Sequence, residues 1–320
     1  MKRILLIILA CLLVNVNLWA QDEATEADTA TVDVSVGQAF ENGTLIDAQT
    51  SFIPDPKSLE FIIQHKFGTI EKDGSAKHAS SDLWGLYSSA NVRLAINYVP
   101  VKNVQIGYGI TKTLMYSDFN AKWTILEQTQ QNMVPVFVTV FGNAAIDGRP
   151  KEDFGRLNNY DNPLDTFDVK FSTRLSYFAQ VLVGRKFNDK LSLQGGVSFS
   201  HANYVRAWHD HDRIGLHLSG RMKFSPQSSF IFNFDAPLTI DGISEQHSGW
   251  TVENTPGWDG PYNPKPSLKF GVEISTYTHA FQVYVGNAGA LVPQLDMMNN
   301  SNKMFDGLAF GFTITRLWMY

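Results

Sequence analysis

Phe171-Ser-Thr-Arg-Leu-Ser-Tyr-Phe-Ala-Gln-Val-Leu-Val-Gly-Arg185 reads as two interleaved rows. Phe171, Thr173, Leu175, Tyr177, Ala179, Val181 and Val183 form an apolar row, while Ser172, Arg174, Ser176, Phe178, Gln180, Leu182 and Gly184 form a largely polar one. Successive side chains of an extended chain point to opposite faces. The alternation therefore predicts a strand with one face in an apolar medium and the other in a polar one. A helix would repeat its apolar positions every three or four residues instead.

The same period recurs on both sides of this stretch. Matching segments lie at residues 59–67, 90–98, 104–110, 119–125, 134–144, 191–203, 214–224, 230–234, 268–276, 281–287 and 308–320, so the tally is about twelve. Short connections (99–103, 128–133, 186–190, 225–228, 277–279) alternate with long ones (70–88, 146–169, 204–211, 237–266, 288–305). One link breaks the rhythm, since only residues 113–117 join the third and fourth segments. Aromatic residues sit near segment ends: Tyr98, Phe187, Phe224, Phe230 and Tyr277 at one end, Phe119, Phe171 and Tyr204 at the other. These features together predict an all-β protein, an antiparallel up-and-down transmembrane β-barrel of about twelve strands with two aromatic girdles. A soluble β-sandwich predicts the same alternation, but not the aromatic strand that closes the chain.

That last segment is Leu308-Ala-Phe-Gly-Phe-Thr-Ile-Thr-Arg-Leu-Trp-Met-Tyr320. Phe312, Ile314, Trp318 and Tyr320 form the alternating row expected of a strand read by the barrel assembly machinery, with outer-membrane lipid against it. Arg316 interrupts the row. A lipid-facing Arg costs only about 0–1 kcal/mol near an interface, where its head can snorkel into water, so Arg316 is expected there.

Met1-Lys-Arg3, an apolar run and Trp19-Ala20 before Gln21 have the order of a cleavable signal peptide. Competing readings are an uncleaved anchor, for which the run is short and broken by Asn15 and Asn17, and lipid attachment at Cys11, where Leu9 is bulky for the motif. The expected division is residues 1–20 as signal peptide, 21–50 as an acidic periplasmic lead-in and 51–320 as the barrel, placing the protein in the outer membrane with both termini periplasmic. Within the lead-in, residues 38–56 carry scattered apolar groups and could form a short strand or a small plug.

Cys11 is the single cysteine, so a mature chain has no disulfide or thiolate metal site. With 26 Lys and Arg against 31 Asp and Glu the net charge is -5, and no basic block stands out. Nucleic acid is thus not an expected partner. At 44% hydrophobic residues and a mean hydropathy of -0.14, the chain is too polar for a helical membrane protein.

From Ser58-Leu-Glu-Phe-Ile-Ile-Gln-His-Lys-Phe-Gly68, the sequence resembles a family of exported β-barrel proteins of unassigned function found mainly in Bacteroidetes, the DUF5777-like group. Further matching stretches are Ser89-Ala-Asn-Val-Arg-Leu94, Pro135-Val-Phe-Val-Thr139, residues 175–189, and His279-Ala-Phe-Gln-Val283 with Asn287. The resemblance spans Thr44 to Tyr320 and implies the barrel fold. It carries no active site and transfers no functional residue.

Candidate functional residues come from the inward rows: Arg93, Asp118, Lys122, Arg174, Gln180, His217, Arg221, Lys223, Asp235, Glu273 and Gln282. Charges of both signs would either line a water-filled pore or close the lumen with ion pairs, and twelve strands lie between side-chain-filled and open barrels. The expected role is a channel or small-polar-solute transporter with a narrow or partly occluded lumen. The alternative is an occluded barrel that binds a partner through outer loops bearing Trp84, Trp208, Trp250, Trp258 and Tyr262. His209 and His211 project to one side of an extended segment and could share a metal ion, although a solvated loop needs none. There is no Gly-x-Ser-x-Gly elbow and no His-Glu-x-x-His motif. His217 and Ser219 share a face without a visible orienting group, and Gly107-Tyr-Gly109 lacks a dinucleotide site's third glycine. No catalysis and no cofactor are expected.

Overall fold

The computed structural model describes residues 33–68, 90–155, 169–205, 209–240, 242–243, 262–305 and 307–320. The proposed signal peptide, most of the acidic lead-in, and Trp84, Trp208, Trp250 and Trp258 lie outside the described residues. Among those described, no helix is long and apolar enough to cross a membrane; that says nothing about strands.

Twelve antiparallel strands close on themselves. They are β3 (Ser58–Lys66), β4 (Asn91–Val101), β5 (Val104–Thr111), β6 (Tyr116–Leu126), β7 (Phe137–Ile146), β8 (Leu175–Lys186), β9 (Leu191–Ala202), β10 (Asp212–Lys223), β11 (Ser228–Leu238), β12 (Ser267–Ser275), β13 (His279–Gly286) and β14 (Ala309–Met319). Each pairs with its sequence neighbours, and β14 pairs with β3, from Gly311 opposite Lys66 to Met319 opposite Ser58. Closure removes every unpaired edge, which a sheet in hydrocarbon requires.

Each strand of the sequence reading has its counterpart, with one local difference. The alternation beginning at Phe171 is not strand at first: Ser172–Arg174 is a 3-10 turn and β8 starts at Leu175. From there the rows behave as expected, with Tyr177 and Val181 exposed on the outer surface and Phe178 and Leu182 buried. The outward rows supply a lipid-facing band that includes Ile96, Ile106, Phe119, Trp123, Phe199, Phe270 and Phe310. The tight link between β5 and β6 is real. It is a 3-10 turn, Thr113–Met115, with Leu114 and Met115 at φ of 56° and 50°.

Among the described residues, two segments that are not part of the wall occupy the bore. One is a hairpin of β1 (Thr44–Leu45) and β2 (Ala48–Gln49). The other is α2 (Pro293–Asn299), in the β13–β14 connection; the single turn α1 (Glu152–Gly155) lies in the β7–β8 connection. Of the two alternatives left open for residues 38–56, a small plug is what forms, so the boundary of the lead-in at residue 50 is corrected: the described part of it from residue 39 on lies within the barrel. Val36 N–H donates to the Gln128 carbonyl at the short-turn end, and from there the chain turns inward, leaving Ala39, Phe40, Leu45 and Ile46 almost wholly buried. Their partners are inward residues of β7, β11 and β13: Phe137, Ile231 and Tyr284. Apolar side chains in a polar lead-in gain by burial, and the barrel interior is the nearest place that supplies it.

The occluded lumen as candidate functional site

The hairpin is held mainly by side chains of the wall. Its tip residue Ile46 sits at φ 63°, a strained region for a β-branched residue, and three wall side chains fix its backbone. Ile46 N–H donates to Gln282 Oε1 at 2.6 Å, while the Ile46 carbonyl accepts from Gln64 Nε2 at 3.1 Å and Thr313 Oγ1 at 2.8 Å. Gln282 Nε2 also donates to the Thr44 carbonyl, and Lys122 Nζ to that of Gly43. Gln194 reaches the Gln49 carbonyl and Thr124 that of Ser51. These anchors stand on β3, β6, β9, β13 and β14, so the hairpin crosses the bore from one wall to the other.

Charges of both signs meet in pairs along the inner wall. Arg93 makes a two-pronged contact with Asp118, at 3.1 and 2.7 Å, and Asn143 joins them. Gly109 faces this pair; a Cβ there would lie 2.5 Å from Arg93 Nη2 and 2.8 Å from Asp118 Oδ1. That explains the glycines of Gly107-Tyr-Gly109 without any nucleotide. Nearer the short turns, Arg221 binds Glu273 and Glu41, and Lys223 binds Glu41, each at 3.0 Å. Glu273 also accepts from Asn42 and Gln282.

The deepest cluster joins both inserted segments. Lys269 Nζ contacts Asp47 of the hairpin at 2.9 Å, Asp235 of the wall at 3.0 Å and Asp296 of α2 at 2.6 Å. Lys66 binds Asp47 at 2.5 Å and the Ala290 carbonyl at 2.6 Å. Burial pushes the Asp47 carboxyl up, but Lys269 and then Lys66 outweigh it and hold the group below its usual range. Asp296 goes the other way: burial, with Asp47 and Asp235 nearby, raises it despite Lys269. Lys66, Lys269, Asp47 and Asp296 were not singled out in the sequence. Lys269 shares its row with Glu273, so parity alone could have found it. The two aspartates belong to segments without period.

Above the cluster, α2 packs Met297 and Met298 on Phe141 and Phe178, and Leu295 near Tyr116 and Ala145. Gln294 Nε2 donates to Asn143 and Ser176. Beyond α2, towards the long loops, opens a vestibule of about 570 Å³ with Tyr116, Arg149, Tyr204, Tyr262, Gln294 and Asn299 in its walls. A chamber of about 30 Å³ lies between hairpin and helix, walled by Gln180, His217, Asp235, Phe178, Asp47 and Met297 among others.

Other candidates fall elsewhere. Arg174 is at the long-loop rim, donating to the carbonyls of Asp147 and Arg149. His209 stacks on Tyr262 with ring centroids 4.0 Å apart, and His211 Nδ1 contacts the Ala202 carbonyl. No cluster of three or more His, Cys, Asp or Glu able to hold a metal ion occurs among the described residues. Phe312 and Ile314 lie on the outer surface, and Trp318 sits under the Arg316 guanidinium, 5.5 Å from ring centre to carbon. Arg316 also contacts His279 and Thr278 at the short-turn rim. Ser219 is not the partner of His217; it accepts from Gln194 at 3.0 Å. His217 Nε2 instead meets Ser198 Oγ at 2.7 Å, and its Nδ1 meets Asp235 Oδ1 at 2.7 Å.

Fold and lumen together define a membrane-spanning β-barrel whose bore is filled by segments of its own chain. The chain belongs to the family of membrane-bound β-barrel domains DUF5777, matched over residues 40–318. No curated protein matches the sequence. Among solved structures, the NanC porin is similar over 82% of this chain and 99% of its own, at 7% identity and a TM-score of 0.43. The toluene transporter TodX of P. putida is similar over 84% and 91%, at 7% identity and a TM-score of 0.38. A Rh. blastica porin mutant is similar over 71% and 55%, at 10% identity and a TM-score of 0.30.

Proposed function

We propose that this protein is a gated outer-membrane channel for small polar solutes, and that the arrangement described is its closed state. On this reading the chain is exported, both termini lie in the periplasm, and the vestibule faces outward, since long loops of such barrels are external. The observation that carries the proposal is the way the bore is filled. A side-chain-packed barrel would need no inserted chain, whereas here the seal consists of two separate segments. Both are held by hydrogen bonds and ion pairs, which water can replace when a segment leaves, beside apolar contacts of Phe40, Leu45, Leu295, Met297 and Met298. The wall exposed by their departure carries Arg93, Asp118, Lys122, Arg221, Glu273 and Gln282, a surface suited to hydrated polar solutes.

A second reading, a permanently shut barrel that binds a ligand or partner at its loops, is favoured by the vestibule of about 570 Å³. Conductance across planar bilayers separates the two. The full chain is expected to conduct rarely. A chain without residues 33–50 and with α2 replaced by a Gly-Ser linker is expected to give steady open steps. A variant that keeps a folded barrel, judged by faster gel migration before boiling, but never conducts would refute the channel.

A further inference from the structure

Ser198, His217 and Asp235 stand on three adjacent strands, β9, β10 and β11, all facing the lumen. Asp235 Oδ1 lies 2.7 Å from His217 Nδ1, and His217 Nε2 lies 2.7 Å from Ser198 Oγ. A carboxylate only accepts, so Nδ1 carries the ring proton. In the neutral ring, Nε2 is then the acceptor for the serine hydroxyl. Those are the roles that make a serine nucleophilic in hydrolases of unrelated folds, where geometry and not chain order defines the site.

The surroundings support the three groups. The second oxygen of Asp235 accepts from Asn233 Nδ2 at 2.7 Å, Lys269 Nζ at 3.0 Å and Ser267 Oγ at 3.2 Å, which fixes the carboxylate in place. The His217 ring is held edge-on by Phe178, with centroids 6.0 Å apart. Gly215 leaves the space: a Cβ there would lie 2.7 Å from Ser198 Oγ, 3.1 Å from His217 Nε2 and 2.5 Å from Met297 Sδ. Gln180, the cross-strand partner of Ser198, lines the same small chamber as His217 and Asp235.

We propose that Ser198, His217 and Asp235 form a hydrolytic site for esters with a short acyl group, acetyl above all. The size limit comes from the chamber beside His217, about 30 Å³ and lined by Phe178, Val292 and Met297 among others; Ser198 is not in its lining and opens to it only when Met297 moves away from Gly215. The alcohol part projects toward the vestibule, since the two spaces share Ala290 and Asp296 as a wall. Met297 covers the site, so substrate reaches it when α2 shifts. Ser198 Oγ attacks the acyl carbon while its proton passes to His217 Nε2, and the Gln180 amide receives the carbonyl oxygen as it becomes negative. The bond to the alcohol oxygen breaks, and the alcohol leaves with the proton from His217. Water, giving its proton to His217, then cleaves the acyl-serine to release the free acid and restore the hydroxyl. This activity does not depend on conductance, so either proposal can fail alone.

The test uses the full-length protein folded in detergent, treated with a small fluorophosphonate and read by intact mass and peptide mapping. Hydrolysis of p-nitrophenyl acetate is followed in parallel. One adduct is expected, on Ser198, absent in Ser198→Ala and retained in Ser219→Ala. His217→Gln is expected to slow labelling on the order of 10²- to 10⁴-fold. Met297→Ala, which uncovers the site, should speed it. Absence of an adduct in both the natural chain and Met297→Ala, each showing heat-dependent gel migration, overturns the proposal, as does an adduct on any other residue.

Discussion

At the scale of single residues, Asp47 matters most to the seal because it is the hairpin's contact with both lysines of the deepest cluster, Lys66 and Lys269. Replacing it by Asn leaves Lys66 and Lys269, both buried, with one carboxylate fewer, a loss of about 3 kcal/mol of docking. Amide exchange of residues 40–50 is expected to quicken about 100-fold in Asp47→Asn, a change measurable by mass spectrometry. The pH dependence follows from the opposed aspartates. Asp47 is held below its usual 3.8, so its contribution is full above that value and disappears as pH falls through the lower docked one. Asp296 is raised above 3.8, so its contribution is greatest in acid and weakens as pH rises past that value. Acidification should therefore free the hairpin first while α2 stays seated, seen as loss of protection in residues 40–50 alone. Much of this was legible: Arg93, Lys122, Arg221, Glu273 and Gln282 face inward because parity along a strand leaves no choice. Ser198 was not, since it is joined to His217 only by the lateral register of β9 and β10, which no local pattern encodes.

At the scale of elements, the strands were readable because lipid imposes one environment on every outward row. The error at Phe171 has the same origin. A 3-10 turn at the rim can carry alternating residues as well as a strand can, and Ser172–Arg174 does so. The hairpin was legible only as an open choice between a short strand and a small plug, for the opposite reason. Its strands are two residues each, too short to show a period or to be stable alone, and its partners are spread over most of the wall. Gln282 is the sharpest test of that dependence, as it both accepts from Ile46 N–H and donates to the Thr44 carbonyl. Gln282→Ala leaves two buried backbone groups unmatched, at about 1–3 kcal/mol. The hairpin is then expected to exchange at least about fivefold faster while the β13 and β14 amides keep their protection. Equal loss in the strands would show that the residue stabilises the wall and not the insert.

At the scale of the whole molecule, the two inserts are one device only if they are coupled, and Lys269 is the atom-level reason to expect it. Its ammonium is shared by Asp47 of the hairpin, Asp235 of the wall and Asp296 of α2. When the hairpin leaves, Lys269 turns more of its charge to Asp296 and α2 is held more firmly. When α2 leaves, Asp47 gains in the same way. The inserts thus compete for one cation, and each partly compensates for loss of the other. A double-mutant cycle with Asp47→Asn and Asp296→Asn measures this directly. Hairpin exchange should be faster in the double variant than the two single changes together predict, by an interaction of about 0.5–3 kcal/mol, because the compensating partner is gone. Strictly additive effects would mean that the hairpin and the helix seal the bore independently, and that Lys269 only neutralises a local excess of negative charge.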